Sequence, residues 1–262
     1  MKNKKDKREL EILEMIFSNE NLVIEKSEQP DFLLKYNTGN LIGVEITELY
    51  FDGTSARLKN KNGYIDDLIT HSRFIHKDDK RQLKINKIEY FPKSQLGSSV
   101  KMNALFLPKY TFSDYRTAFF KRLKDKNNRI QKYNMSVQQC NLVIYDCENK
   151  LNNTELRSFS KYLFSNEILN EIKNSRFTEI YFITKIQEIS YYIQLKAYYL
   201  LNQAYILHDY IRKNKLKNKL ISLNIDFEDV YAEVLIRVGT KKFAMLYMKA
   251  LKLFILEDVV LD

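Results

Sequence analysis

Two short apolar runs separated by a polar turn stand out in the first fifth of the chain. Pro30 fixes its own φ angle and biases the preceding residue toward extended geometry, so the first run, residues 32–34, is predicted to form a strand. Residues 37–40, Asn-Thr-Gly-Asn, are typical of a turn. The second run, residues 41–47, is apolar and β-branched apart from one acid, which is typical of a buried strand. The pattern therefore predicts a tight hairpin.

Elsewhere the apolar residues recur at helical spacing or in continuous runs of strand length. The predicted elements are a helix from about Lys7 to Asn19, a helix from Phe119 to Tyr133, a buried strand from Cys140 to Asp146, a helix near Thr154 to Asn174, and a strand from Thr178 to Thr184. Together with the hairpin, these helices and strands predict an α/β protein.

The chain between these elements is less regular. Residues 51–110 are polar and charged, helical and loop interpretations compete there, and we interpret the segment as an insertion after the hairpin. Residues 186–262 are predicted to be a mainly helical C-terminal extension or subdomain, although the aromatic part near residues 191–201 fits no simple pattern. Its last part, residues 230–261, is apolar enough to form a buried helical end or a dimer surface.

One acid interrupts the second strand of the hairpin, and it is the first candidate for chemistry. Glu45 is costly inside an apolar strand unless it is paired or binds a cation, and Asp31, one hairpin away, is a plausible second ligand. Two oxygen donors with open water positions suit Mg²⁺, which keeps several waters and can activate one of them. The alternative is that Asp31 starts a turn and that Glu45 is bonded to a neighbouring Arg or Lys.

These residues carry a resemblance to a known family. The segment Gln29-Pro30-Asp31, the hairpin, and Val44-Glu45-Ile46-Thr47 resemble the signature of the PD-(D/E)XK nuclease superfamily. The resemblance implies a restriction-endonuclease-like mixed central sheet flanked by helices over residues 1–185, with Asp31 and Glu45 as ligands of Mg²⁺ or Mn²⁺. The family has a catalytic Lys two residues beyond the Glu, whereas this chain has Thr47 there, and a hydroxyl cannot supply the positive charge. Either the protein is inactive or another Lys replaces it, as happens in some branches of the superfamily.

Lys126 is the candidate for that replacement. At 100° per residue it falls in the middle of the apolar stripe formed by Phe119, Leu123 and Ile130, whereas a solvated basic helix would place every Lys on the outer face. Lys126 is therefore either snorkelling or directed at a site. Arg122 and Arg129 flank the same stripe and are candidates for binding phosphate; their guanidinium groups suit that role.

A further metal ligand is expected from the first helix, because the family often uses an acid there. Glu9 lies on the apolar side of this helix and is the first choice, with Glu14 second. A carboxylate at a helix start is also explained by the helix dipole, so the assignment of Glu9 stays open. Glu28 precedes the Pro-Asp pair closely enough to line the same pocket, or to be an exposed turn residue.

Composition bears on the partner. The 262 residues carry 43 Lys and Arg against 33 Asp and Glu, a net charge of +10, and such an excess favours a polyanion. We expect nucleic acid, DNA more than RNA, although Lys-rich usage in an AT-rich genome would give the same excess. The chain lacks a glycine-rich phosphate loop and a Gly-x-Ser-x-Gly motif, and its three histidines lack zinc-ligand spacing.

The cysteines and the N-terminal residues bear on the redox state and the location of the protein. Cys140 and Cys147 lie at opposite ends of one predicted strand, which favours reduced structural thiols. The N-terminus is basic without the apolar stretch of a signal peptide, and no uncharged segment is long enough to cross a bilayer. We therefore expect a cytoplasmic protein that does not bind membranes.

The sequence thus favours a metal-dependent nuclease that hydrolyses phosphodiester bonds, with Asp31, Glu45, Lys126 and Thr47 in the catalytic centre. The resemblance further implies a role in bacterial genome defence against phage. Two alternatives stay open: a catalytically silent nucleic-acid-binding module, and a protein-interaction subunit. In the second, the C-terminal region binds another copy of the chain or a defence-system partner.

Overall fold

The structure is a computed structural model. It describes residues 4–17, 22–90, 99–131, 133, 137, 139–149, 151, 153–163, 165–186 and 189–199. The elements are α1 (Lys4–Phe17), β1 (Leu22–Lys26), β2 (Phe32–Tyr36), β3 (Leu41–Leu49), α2 (Gly53–Asn60), α3 (Tyr64–His71), α4 (Lys77–Gln82), β4 (Lys84–Tyr90), β5 (Val100–Phe106), α5 (Phe112–Ile130), β6 (Gln139–Asp146), α6 (Asn153–Leu163), α7 (Asn166–Lys173), β7 (Ile180–Ile186) and β8 (Ile189–Gln194).

Six of the strands form one mixed sheet in the order β1-β2-β3-β6-β7-β8. Strands β1, β2 and β3 form an antiparallel meander, β6 and β7 are parallel, and β8 returns antiparallel to β7. The parallel pair needs a crossover connection, which α6 and α7 supply along the chain. The α/β class and a mixed central sheet flanked by helices are confirmed.

The predicted hairpin is present and its register is regular. Phe32 pairs with Val44 and Leu33 with Gly43, so the residue before Phe32, Asp31, comes opposite Glu45. Gly39 turns the chain with a φ of 84°, a left-handed conformation that costs glycine little. The backbone of β3 is buried on both of its faces from residue 43 to residue 47, as its apolar composition predicts.

The described chain divides into two compact units. Among the described residues, the first comprises those within 1–47, 124–145 and 151–199, and the second comprises those within 48–123 and 146–150. The six-stranded sheet supplies the buried core of the first unit, with Leu34, Val44 and Phe182 among its fully buried side chains.

The predicted insertion, residues 51–110, falls within the second unit. Helical and loop interpretations competed there; the chain forms the helices α2, α3 and α4 and, in addition, a two-stranded antiparallel sheet of β4 and β5 that neither interpretation included. Its core is formed by Tyr64, Leu68 and Leu83, with partly buried Ile85 and Leu105 packed against it from the two strands. Only alternate residues of β4 and β5 face this core, which is why the pattern was weak.

Other predicted elements agree in kind and differ in extent. The first helix begins earlier than predicted, at Lys4, and α5 begins seven residues before Phe119 and ends at Ile130. The single helix predicted near 154–174 is wrong, because the chain forms the two helices α6 and α7 there. Ser165 lies between them at the N-terminus of α7 in an extended conformation.

The C-terminal prediction lies mostly outside the described residues. Residues 189–194 form β8 and complete the sheet, but residues 200–262, including the apolar stretch 230–261, are not among those described. The helical extension and the boundary near residue 185 stay predictions. Within the described part of the chain, no helix combines the length and apolar character needed to cross a bilayer.

Candidate metal centre

The hairpin brings the two predicted acids together. Asp31 Oδ2 accepts a hydrogen bond of 2.8 Å from the backbone N–H of Ile46, which fixes the aspartate against the strand that carries Glu45. Glu45 itself is buried, with only 6% of its surface exposed. The two carboxylates are close enough for the charge of Glu45 to raise the pKa of Asp31. Two acids that share an enclosed position are typical of a cation site.

Lys126 reaches the same place from α5. Its Nζ lies 2.5 Å from Glu45 Oε1, and the two side chains are only 10% and 8% exposed. The prediction that Lys126 lies on the buried side of its helix is confirmed, since Phe119, Leu123 and Ile130 are also buried. Snorkelling would place the ammonium in water, whereas here it is held by a carboxylate. Lys126 is therefore directed at Glu45.

Thr47 lies on β3 two residues after Glu45 and is buried. Successive strand residues alternate between faces, so Thr47 is on the same face of β3 as Glu45. The position two residues beyond Glu45 therefore lies on the face of β3 that carries this carboxylate, and it holds a small neutral side chain. A positive charge nevertheless lies against Glu45, because the ammonium group of Lys126 contacts its carboxylate.

One oxygen of Glu45 is left over. Oε2 is buried and finds no hydrogen-bond partner within the described ranges of the chain. A buried unpaired carboxylate oxygen is costly, and such atoms usually have a partner of some kind. A bound cation or a water held by one would satisfy it. This is the observation that most directly indicates a ligand in the centre.

The electrostatics of Asp31 agree with this interpretation. Burial raises the pKa of Asp31 to about 6, and the charges of Glu45 and Glu9 act in the same direction. The Ile46 N–H and the ammonium of Lys26 oppose the increase without cancelling it. A cation bound between the carboxylates would remove the repulsion and favour the ionised form of Asp31, so the carboxylates and a divalent ion would stabilise one another.

Glu9 is buried on α1, as the helical periodicity predicts, but both of its oxygens already face lysines. Oε2 accepts a hydrogen bond of 2.6 Å from Lys26 Nζ, and Oε1 lies 3.3 Å from Lys5 Nζ. Glu9 therefore lies near the acids of the hairpin, yet it is engaged as a partner of lysine. The second choice, Glu14, is exposed, and so is Glu28.

Three further residues, Lys26, Tyr133 and Cys140, lie near the centre without having been predicted as part of it. Lys26 on β1 contacts Glu9 and also lies 3.9 Å from Asp31 Oδ1. Burial, followed by the charge of Glu45 and a hydrogen bond with its carboxylate, raises the pKa of Tyr133. Burial and then the charges of Glu45 and Asp31 raise the pKa of Cys140 to about 12. The Cys140 thiol consequently stays protonated at neutral pH. Tyr133 lies just beyond the end of α5.

The two candidate phosphate ligands differ in exposure. Arg129 follows Lys126 by about one turn on α5 and is exposed, whereas Arg122 precedes it by about one turn and is partly buried. Their assignment to phosphate binding stays a prediction.

Cys147 is a buried free thiol, as Cys140 is.

The donor set fits a hard divalent cation with few protein ligands. Within the described segments no group of three or more His, Cys, Asp or Glu side chains is arranged to hold a metal ion. Mg²⁺ is commonly bound by one or two carboxylates together with waters and substrate phosphates. Asp31 and Glu45 supply such a pair, and Oε2 of Glu45 is an oxygen that meets no hydrogen-bond criterion with any of the described residues.

No match was found. Comparisons with models of protein families, with curated proteins and with solved structures all failed to produce a similar protein. The interpretation of the site consequently depends on its residues and geometry.

Proposed function

We propose that this protein is a metal-dependent nuclease of the PD-(D/E)XK type in which Lys126 takes the role of the lysine missing at position 47. The observation that supports this most strongly is the buried contact of 2.5 Å between Lys126 Nζ and Glu45 Oε1. A lysine from another element meets the glutamate of the motif, where a substitute would have to lie.

The order of the elements also supports the proposal. A helix, an antiparallel meander, a second helix and a further strand follow one another as α1, β1-β2-β3, α5 and β6, with the second unit's elements inserted before α5. A helix and then a strand after the hairpin is the order that a restriction-endonuclease-like core requires. A shared fold carries many functions, so the proposal depends on the side chains and not on the topology alone.

The chemistry assigned to each residue follows from its charge and position. Asp31 and Glu45 would hold Mg²⁺ or Mn²⁺, which when bound supplies a Lewis acid and lowers the pKa of water. Lys126 holds Glu45 in place through a charge-assisted hydrogen bond. Its ammonium is also available to orient a water molecule or to stabilise the negative charge that develops on a phosphate. Thr47 contributes no charge.

The proposed substrate is nucleic acid, with DNA favoured over RNA. The net charge of +10 supports a polyanionic substrate, because lysine and arginine displace counterions from a phosphate backbone. Arg129 is exposed on the same helix as Lys126 and is suited to phosphate. A role in genome defence against phage is part of the proposal only through the resemblance.

The test is cleavage of double-stranded DNA, single-stranded DNA and RNA with Mg²⁺ or Mn²⁺. We expect Glu45→Gln and Lys126→Met to lower cleavage by about 10²-fold or more, because each removes an interaction with the reacting groups. Lys35→Met is the matched control, since Lys35 pairs with Glu25 on the exposed part of the same sheet. Cleavage by both variants at the wild-type rate would contradict the proposal.

A rescue experiment separates the role of Lys126 from a merely structural one. Thr47 lies on the same strand face as Glu45, so Thr47→Lys in the Lys126→Met background returns an ammonium to the family position. We expect it to recover part of the lost cleavage. Recovery of folding without recovery of cleavage would show that Lys126 serves stability alone.

A catalytically silent nucleic-acid-binding protein is the second candidate function. The ion pair itself favours this second candidate, because Lys126 neutralises the charge of Glu45 without any metal ion. In that case Mg²⁺ and Mn²⁺ would leave the melting temperature unchanged, whereas a metal-binding nuclease is stabilised by them through linkage. Binding of DNA without cleavage and without a metal effect would establish the silent protein.

A further inference from the structure

One face of the β4–β5 sheet is apolar and exposed. The two strands pair in regular register from Tyr90–Val100 to Lys84–Phe106, so their even-numbered residues share one side, which we call the outer face. The odd-numbered residues point to the opposite side, where Leu105 packs against the core of the second unit. Five large side chains of the outer face are 38% to 53% exposed: Ile88, Tyr90, Val100, Met102 and Phe106.

This patch is larger than chance exposure accounts for. Ten large apolar side chains are exposed in the described part of the chain, and half of them lie on the outer face. Together they leave roughly 600 Å² of accessible surface there, the upper end of the range for the largest patch of a monomer. Single exposed apolar residues need no explanation, whereas a contiguous patch of this size marks an interaction surface.

The composition of the outer face favours a protein partner over nucleic acid. Lys84 is the only charged residue among its eight positions, and it lies at one end, while Asn86 and Ala104 complete the face. Surfaces that bind nucleic acid are strongly positive. The cores of protein interfaces are instead depleted of charge and enriched in aromatic residues and Met, with charge at the rim, and the outer face has this composition.

The order of the side chains makes the outer face complementary to itself. Its cross-strand pairs form four rows, namely Lys84–Phe106, Asn86–Ala104, Ile88–Met102 and Tyr90–Val100. When a second copy lies face to face in the reversed direction, the end rows meet each other and the middle rows meet each other. The small side chain of Ala104 is then opposite the large one of Met102, and Lys84 is opposite the ring of Tyr90, as in a cation–π contact.

The same direction in both copies gives a poorer fit. Ile88 would then be opposite Met102, and Asn86 would be opposite Ala104, so that two large side chains meet and two smaller ones leave a gap. The lysines of both copies would also lie at the same end of the interface, where their charges repel. The reversed direction places them at opposite ends of a sheet about 20 Å long.

We infer that the outer face of β4 and β5 binds a second copy of this chain, face to face and reversed, in a dimer with two-fold symmetry. Such closed pairs are the commonest form of protein oligomer. The two faces together bury roughly 1,200 Å², the lower limit for a specific interface, so the dimer dissociates reversibly. The inference does not depend on the metal centre, and this surface is distinct from the dimer surface predicted within residues 230–261.

The first experiment is sedimentation equilibrium of the full-length protein. We expect the wild type to pass from monomer to dimer between about 1 and about 200 μM, as for an interface of this small area. Met102→Lys should be monomeric throughout, because it puts an unpaired charge in the middle of the interface. Ile65→Lys is the matched control, since Ile65 is an equally exposed apolar residue on α3, and it should dimerise as the wild type does.

Met102 and Ile88 are partly exposed, so their substitution should leave the fold intact, which circular dichroism checks. Ile88→Lys is the second variant if Met102→Lys does not fold. A wild type that stays monomeric at about 200 μM would overturn the inference, because even a weak specific dimer forms at that concentration. A dimer that survives both lysine variants would overturn it as well, since another surface would then hold the copies together.

Cross-linking tests the direction of the two copies. Lys84→Cys protein mixed with Tyr90→Cys protein should be joined by a bismaleimide that spans about 10 Å, the spacing of stacked sheets. Neither variant alone should cross-link, because like positions lie at opposite ends of the interface. Cross-linking of Lys84→Cys with itself would contradict the reversed arrangement. The wild type gives the background from Cys140 and Cys147, which are buried.

Discussion

Loss of Lys126 should cost the protein a large part of its stability, and the structure gives the magnitude. Nζ and Oε1 of Glu45 are 2.5 Å apart, so their direct attraction is about 7 kcal/mol at an effective dielectric constant of about 20. Desolvation of two buried ions costs several kcal/mol for each and offsets most of this gain. The net value of the pair is small, but breaking it leaves Glu45 buried without its partner, which costs about 3–5 kcal/mol.

The assay is a double-mutant cycle in urea at neutral pH without divalent ions. Lys126→Met and Glu45→Leu should each lower the free energy of unfolding by about 3–5 kcal/mol, a fall in midpoint of about 2 M for a slope of about 2 kcal/mol/M. The double variant should lose much less than the sum, because it removes both charges. Lys35→Met should change stability by about 0–1 kcal/mol, since its partner is exposed.

Addition of Mg²⁺ should then separate the two variants, because it should stabilise Lys126→Met and not Glu45→Leu. Lys126→Met keeps both carboxylates and loses a competing cation, so Mg²⁺ should stabilise it more than the wild type, by about 1.4 kcal/mol for each tenfold gain in affinity. Glu45→Leu should respond little. A loss below about 1 kcal/mol in Lys126→Met, or additive losses in the double variant, would refute the view that a buried ion pair controls this centre.

Three further expectations concern single positions. Because the pKa of Asp31 is raised to about 6, the folded protein holds a proton between pH about 4 and about 6 that the unfolded chain has released. The free energy of unfolding should therefore fall by about 3 kcal/mol as the pH rises through this window. Unfolding measured over a pH series should show that Asp31→Asn removes the fall. Burial disfavours ionisation of Asp79, but its hydrogen bonds, led by the one from Arg57, outweigh this effect and hold its pKa at about 2. The contribution of ionised Asp79 to the free energy of unfolding should be complete above pH about 4 and lost toward pH 2 in acid titrations. Asp79→Asn should lower that free energy by about 3–5 kcal/mol, because Asp79 is fully buried. A Cβ at Gly43 would lie 2.5 Å from Pro30 Cγ, so Gly43→Ala should shift the segment that carries Asp31, weakening Mn²⁺ binding in titrations while Gly39→Ala does not.

The hairpin acids and Lys126 could be predicted because each violates a strong local pattern. Glu45 is an acid in a buried strand, and Lys126 is a base in an apolar stripe, so each requires a partner that the structure then supplies. Register follows from the turn and the alternation of the strands, which is why Asp31 was expected near Glu45. The roles of these residues in metal binding and catalysis stay predictions.

Lys26 could not be predicted, for a physical reason. It ends a short strand whose residues are half-buried or exposed, so a lysine there breaks no pattern. Its three carboxylate neighbours come together only when α1 packs beside the meander. The hairpin of β4 and β5 was not predicted for a similar reason. Met102 and Tyr90 are about half exposed, and only the opposite face of the hairpin meets the core of the second unit.

The origin of the positive charge changes what the site requires in order to form. A lysine at position 47 would share a strand with Glu45 and would be in place whenever β3 is paired. Lys126 instead reaches Glu45 from α5, whose buried stripe must pack before the ammonium can meet the carboxylate. Mutations that loosen α5 should consequently remove the charge from the centre without touching a metal ligand. A hydroxyl at Thr47 is tolerable in this arrangement, because the adjacent acid already has its cation from another element.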